Sequence, residues 1–305
     1  MQRNTSYKQK DLIQKFNIKL AKNARLVLNF QFSESSNINR FDKLSEKNDE
    51  GTLKYAEWYY GPQKRSFISS KFSFQGKRIF DRADIIFAYQ KIDESRNKRK
   101  FDSSFLNVHD ENLDVFSINS DFFKRIDKQE SITYGFELTN NQLNSNGYQS
   151  SINSNLISKS ISRYPNDGST YKSIAGYFNY KKFINRKTNY DVGLRVSTIN
   201  IRANWDYDFF NPEYDDKYDT LFFQQFDGLE MVNSSLTGSL GIVHRMNDFN
   251  KISFNASSGF RSPNIDDIGK IRENSGILNV PNINLKPEYV YTLDFGWSKF
   301  NKNLG

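Results

Sequence analysis

Hydrophobic and polar residues alternate along most of this chain with a period of two. Residues 288–300 show it most plainly. Tyr289, Tyr291, Leu293, Phe295 and Trp297 fall on one side, and Val290, Thr292, Asp294, Gly296 and Ser298 on the other. Such alternation predicts a β-strand with one apolar and one wetter face. The run is about twice the ~5–6 residues usual for a soluble strand. It meets the ~9–11 tilted residues that cross a bilayer as β-structure. The same reading predicts ten earlier strands, at residues 12–20, 25–33, 65–74, 78–91, 111–124, 131–139, 171–183, 187–203, 234–245 and 251–260. Their apolar faces carry no charge among Leu26, Leu28, Phe30 and Phe32, among Ala83, Ile85, Phe87 and Tyr89, or among Ile132, Tyr134, Phe136 and Leu138. Tyr190, Val192, Leu194 and Val196 continue the pattern, while Asp84, Glu137, Asp191, Arg195 and Asp294 sit on opposite faces.

The connections alternate between tight turns and extended polar stretches. Asp127-Lys128-Gln129, Ile184-Asn185-Arg186 and Asn247-Asp248-Phe249 are turn-like, whereas 34–64, 140–170, 205–233 and 261–286 are long. Tight turns on one rim and long loops on the other describe antiparallel neighbours in an up-and-down outer-membrane wall. Soluble sandwiches mix loop lengths at both ends. Residues 140–170, rich in Asn, Ser and Gly, are expected to be an exposed, mobile loop.

Composition narrows the classes. The chain has 305 residues, a hydrophobic fraction of 37% and a mean hydropathy of −0.73. No run approaches the ~18 apolar residues of a membrane helix. A β-barrel keeps hydropathy low because half of each strand faces a polar lumen. Aromatics reach 15%, which suits interfacial girdles. Cysteine is absent, so neither a disulfide framework nor a cysteine metal site is expected. The net charge of +8 comes from 43 Lys+Arg against 35 interspersed Asp+Glu, which does not read as a nucleic-acid surface. The densest basic cluster, Arg96, Lys98, Arg99 and Lys100, reads as a solvated loop tip; its functional reading is contact with lipid or polysaccharide phosphates. The start, Gln2-Arg3-Asn4-Thr5-Ser6, does not read as an export signal.

Two motifs carry a resemblance. Gly259-Phe260-Arg261-Ser262-Pro263-Asn264 ends one predicted strand, and Pro281-Asn282-Ile283-Asn284-Leu285-Lys286-Pro287-Glu288 opens the next. Together they resemble the barrel region of TonB-dependent outer-membrane receptors, with Ile283 where Pro is common. The resemblance implies an all-β, antiparallel, transmembrane barrel, of which this chain supplies about eleven of roughly 22 strands. It implies energy-coupled uptake of a scarce ligand (a ferric siderophore, cobalamin, haem or glycan) across the outer membrane of a Gram-negative bacterium. The partners implied are outer-membrane lipid and lipopolysaccharide, the ligand, and an inner-membrane energy-coupling complex acting through a plug. Residues 1–305 are then expected to be part of a barrel domain, with plug, signal peptide and terminal strands lying outside them.

No catalytic constellation, phosphate-binding loop or zinc signature is present, so neither an enzyme nor a cofactor is expected. His109 and His244 are too isolated to read as a metal pair. Candidate ligand contacts are aromatic residues mixed with acids in long loops: Trp58, Tyr59 and Tyr60 in one, and Trp205, Asp206, Tyr207, Asp208 and Tyr214 in another. Aromatic faces supply stacking area and carboxylates can meet a cation or hydroxyls. A solvated loop with girdle aromatics at its base is the plain alternative. Arg261 and Glu288 are read as an ion pair tying loop to rim, and Pro263 and Pro287 as strand-end residues. A porin or adhesin barrel, or a soluble all-β binding protein, are the competing readings of the whole.

Overall fold

The computed structural model describes residues 6–300, apart from 77, 207–227, 271, 275–276 and 280. In chain order it opens with β1 (Gln9–Ala21), β2 (Ala24–Ser35), the short β3 (Ile38–Asn39), α1 (Phe41–Leu44) and β4 (Tyr55–Tyr60). Four long strands follow: β5 (Lys64–Gln75), β6 (Arg82–Lys100), β7 (Phe105–Arg125) and β8 (Glu130–Ser151). The short β9 (Ile157–Lys159) precedes β10 (Ser169–Phe183), β11 (Thr188–Ala203), β12 (Leu229–Arg245) and β13 (Asn250–Arg261). The chain then forms α2 (Ile265–Gly269), β14 (Arg272–Asn274), β15 (Ile277–Asn279) and β16 (Glu288–Lys299).

All eleven segments inferred from alternation contain a strand, although the fourth begins at Arg82 and not at residue 78. They form one antiparallel wall in the order β1-β2-β5-β6-β7-β8-β10-β11-β12-β13-β16. The two end strands do not pair with each other, so the wall is open. Side chains facing each other across the ladder share a side. Phe136 therefore aligns with Ser120 and Gly176 on one face, and Glu137 with Asn119 and Ala175 on the other.

The turn rim is built by a repeated local device. Asp127 Oδ1 accepts from the Gln129 and Glu130 N–H groups at 2.6 and 2.8 Å. Asn185 Oδ1 accepts from Lys187 and Thr188 at 2.8 and 2.9 Å, and Asn247 Oδ1 from Phe249 and Asn250 at 2.9 Å each. A short Asx side chain caps the turn's orphan N–H groups, which is why these residues end strands.

The outer face carries an apolar belt, exposed in the isolated wall: Phe87, Phe116, Phe136, Ile174, Phe178, Leu194, Val196, Leu236, Leu240 and Phe295. Near the turn rim it becomes aromatic, with Phe122 stacked on Tyr134 at 5.1 Å and Tyr180 6.0 Å from Tyr190. The opposite face is wet and paired: Lys71 with Asp84 at 3.2 Å, and Arg195 with Glu137 at 2.5 Å. Charges in this position stay hydrated in a lumen, whereas on the lipid side each would cost several kcal/mol, about 2–4 for Lys or Arg at mid-depth.

Above the belt, on the long-loop side, the sidedness inverts. In β11 the apolar parity passes from Tyr190, Val192, Leu194 and Val196 to Ile199, Ile201 and Ala203. These last three, with Trp205, Ile265 and Ile268, form the buried core, which lies against the lumen face. β9 extends the wall along the edge of β8; residues 160–168 and α2 then fold inward, and Tyr164, Ile161 and Leu143 pack around the core. Once a strand leaves the bilayer the outer face meets water, and apolar groups gain by turning inward.

Several expectations are corrected here. The stretch 140–170 is not an exposed loop: β8 continues to Ser151, and Ser162 and Pro165 are buried. The basic cluster is not a loop tip either, because Arg96, Lys98, Arg99 and Lys100 lie in β6, which runs on as a tall hairpin with β7. His109, which the sequence places in a loop beside Asp110 and Glu111, belongs to β7, and Trp58, Tyr59 and Tyr60, expected in a long loop, belong to β4. Amphipathic extension past the membrane is too short and too polar in sequence to separate from loop.

Candidate functional site

β4 pairs with the upper part of β6, placing Trp58 opposite Lys98, Tyr59 opposite Asn97 and Tyr60 opposite Arg96. Alternation then puts Trp58, Tyr60, Arg96 and Lys98 on the lumen face and Tyr59 on the outer one. Trp58 and Tyr60 meet edge to face, with ring centres 5.3 Å apart. Arg40 is brought over them by a backbone bond from its N–H to the Trp58 carbonyl, 2.9 Å. Its guanidinium lies 4.7 Å from the Trp58 ring centre and 5.6 Å from that of Tyr60. It also donates to the Tyr60 hydroxyl at 2.8 Å. Arg96 also reaches the Tyr60 ring, at 5.5 Å.

Asp42 clamps Arg40 with two bonds of 2.8 and 2.5 Å. That pairing pulls the Asp42 carboxyl down to about 2 and raises Arg40 further above its ordinary value. Arg96 is freer: its Nη2 stands 3.7 Å from Glu94, and its buried Nε has no hydrogen-bond partner among the described residues. Two guanidinium groups on two aromatic faces form a surface for a planar or carboxylate-bearing anion, because each cation keeps donors free of its stacking contact.

The second predicted cluster has a different character. Trp205 is a core residue, 9% exposed, and not a loop contact. Asp206 donates its N–H to Asn166 Oδ1 at 2.9 Å, and its carboxylate lies 3.6 Å from Lys159 Nζ. Tyr207, Asp208 and Tyr214 fall outside the described residues. The described members of the two clusters are not brought together.

The paired motifs frame the lumen-side cover. β13 ends at Arg261, Pro263 is buried, and Asn264 caps α2 in a reciprocal box with Asp267. Arg261 bonds Asp267 at 2.7 Å and Glu288 at 3.2 Å, the loop-to-rim pair read from the sequence. Phe260 packs against Tyr289 at 5.2 Å, and Leu285 against the buried core. Asn282 N–H bonds the Ile268 carbonyl at 2.9 Å, so the second motif returns across α2 before Pro287 leads into β16. Lys286 is exposed.

Sequence reasoning missed Arg40 and Arg96 as partners of the aromatic pair. No local signal links residue 40 to 58 or 60 to 96; only strand register does. The turn of apolar parity after Val196 is visible in the sequence and would have found the lumen-side core.

Comparisons with known proteins agree with this geometry. The family model described as "TonB dependent receptor-like, beta-barrel" matches residues 9–305. The solved copper transporter OprC superposes with a TM-score of 0.68 at 11% identity, covering 97% of this chain and 43% of its own. The Serratia marcescens hemophore receptor HasR, solved with its hemophore HasA and heme, gives 0.66 at 11% identity, covering 95% of this chain and 42% of its own. The ferric yersiniabactin uptake receptor FyuA of Yersinia pestis gives 0.61 at 10% identity, covering 97% and 43%. The chain thus spans less than half the length of these structures. No curated protein matches the chain in sequence.

Proposed function

The chain belongs to the TonB dependent receptor-like β-barrel family, and on that footing we propose that it forms one section of the wall of an outer-membrane uptake receptor. The membrane is the outer membrane of a Gram-negative bacterium, where this family resides. Lipid and lipopolysaccharide surround the belt, and a plug worked by an inner-membrane energy-coupling complex completes the device. The role is transport rather than catalysis.

The eleven-strand order supports the reading of residues 1–305 as a partial barrel domain. An odd number of antiparallel strands leaves β1 and β16 running in the same direction. Closing the wall antiparallel then takes an odd number of further strands. A second copy turned about the barrel axis would meet it in parallel, so a homodimer does not close this wall antiparallel; other strands of a larger barrel do.

The cargo we propose is an anionic metal chelate with carboxylate or phenolate oxygens. The carrying observation is the Arg40–Trp58–Tyr60–Arg96 cluster on the lumen face. OprC, HasR and FyuA handle copper, heme and a ferric chelate, which supports a metal-bearing cargo. Quenching of receptor tryptophan fluorescence by a panel of ferric chelates tests it. Anionic chelates should bind and cationic ones should not, and R96A should weaken binding about tenfold, the worth of one cation–π contact with its donors. Equal binding of R96A and the native receptor across the panel rejects this site.

A further inference from the structure

Glu111, on the lumen face, is a buried carboxyl that the uptake reading does not use. It is 3% exposed, and neither of its carboxylate oxygens has a hydrogen-bond partner among the described residues. In the ladder it stands between Glu94 of β6 and Ser145 of β8. An ionised carboxylate here would be desolvated, unbonded and next to a like charge, which is among the costliest arrangements a fold can hold.

What lies over this position is the inward-folded segment 160–168. β9 lies along the free edge of β8, and Ser160 N–H continues that ladder to the Gly147 carbonyl at 2.9 Å; the chain then turns inward over Gly147, and Tyr164 N–H bonds the fully buried Ser145 Oγ at 3.2 Å. The strap therefore crosses β8 at the two residues that flank His109 and Glu111 in register. Gly147 is what allows this closeness: a Cβ there would collide with the Ile161 backbone carbonyl. At its far end the strap is tied to α2, where Tyr164 donates to Asp266 at 2.7 Å.

We propose that segment 160–168 is a strap whose closed position on the lumen face tolerates only the protonated form of Glu111, and that ionisation of this single carboxyl favours its release. The charges acting on Glu111 are Glu94 on β6 and its chain neighbour Asp110; Arg96 on β6 and His109 on β7 share its face, β8 offers Leu143, Ser145 and Gly147 there, and on the strap the Arg163 and Tyr164 side chains are turned to Asp266, at 3.6 and 2.7 Å. Burial, then Glu94 and Asp110, push the Glu111 carboxyl up to about 8 from an ordinary 4.5. Burial and then Lys98 hold His109 down to about 4, so His109 is neutral across the same range and does not compete. The closed strap binds a proton that the open, hydrated carboxyl gives up above its ordinary value. The open-to-closed ratio therefore rises with pH, by at most about tenfold per unit between roughly pH 4.5 and 8, and is level above that. Nothing in this depends on the identity of the cargo.

The chain has no cysteine, so spin labels at D167C, an exposed position on the strap, and D102C at the β6–β7 tip report the strap's position in the detergent-solubilised receptor. Pulsed electron resonance should show one distance at pH 5.5 and a second, growing population towards pH 8.5. E111Q should stay at the closed distance throughout. E94Q should shrink the change, because removing the like charge lowers the closed-state affinity for the proton. G147A should show the open distance at every pH and so calibrate it. A native receptor whose distances ignore pH, or an E111Q variant that follows the native curve, overturns the proposal.

Discussion

Leu194 is the point at which the membrane reading of this wall is most exposed to test. It is the third of four outward apolar positions in β11 and aligns with Phe178 and Gly238 on the same face. It lies six residues from the turn-side end of β11. At ~3.3 Å per residue this is about 20 Å along the strand, or about 15 Å of height at a tilt near 40°. In an apolar band about 25 Å tall that is close to mid-depth, where Arg on the lipid face costs about 2–4 kcal/mol. L194R should therefore lose about 2–4 kcal/mol of folding stability in lipid. The matched control is N179R on β10, whose side chain faces the lumen between Thr133 and Gly193. Water reaches that face, so N179R should cost less than about 1 kcal/mol. The assay is urea-titrated folding of the receptor into phospholipid vesicles, followed by tryptophan fluorescence and by heat-modifiable migration on gels. Equal losses for the two variants, or a larger loss for N179R, would refute the assignment of belt and lumen.

Other predictions follow from the same contacts. Ile201 is fully buried at the centre of the lumen-side core, so I201A should cost about 2–4 kcal/mol in the same assay and raise protease access to 160–168, since the cavity lies beneath that cover. Y59A should leave chelate affinity unchanged while W58A lowers it, because Tyr59 points to the outer face and Trp58 to the lumen; binding titrations read both. For Asp266, burial alone would raise the carboxyl, but the bonds from Tyr164 and Lys270 outweigh it and leave it lower than usual. A lowered carboxyl stabilises above its ordinary value and loses that stabilisation as pH falls through the folded one. Docking of α2 should thus loosen only below about pH 4, the reverse of the Glu111 response, as hydrogen exchange of residues 264–270 would show. R261A removes both the Asp267 and Glu288 bonds from an exposed side chain and should move the melting temperature no more than a surface Lys→Ala control; a large shift would make the pair a structural anchor.

How much of this was readable in advance depends on the range of the forces involved. Period-two alternation is local, and it is imposed by a solvent, the bilayer, that reaches every strand in the same way. It therefore marked the eleven long strands, the apolar faces of β2, β6, β8, β11 and β16, and the turn rim, where Asp127, Asn185 and Asn247 cap their own neighbours. Arg261 and Glu288 were legible as a pair because the motifs around them resemble a known strand-end arrangement. By contrast, the upper halves of β6, β7 and β8 carry polar residues on both faces, and only pairing with one another makes them strands. The meeting of Arg40 with Trp58, of Arg96 with Tyr60, and of Ser145 with Glu111 is a matter of register across separate strands. Within the belt, sequence alone determined which side of a strand wants lipid, since a run of alternating apolar residues settles it. The tertiary structure alone decided which charges end up buried, because burial belongs to the segments folded over a residue and not to the residue itself.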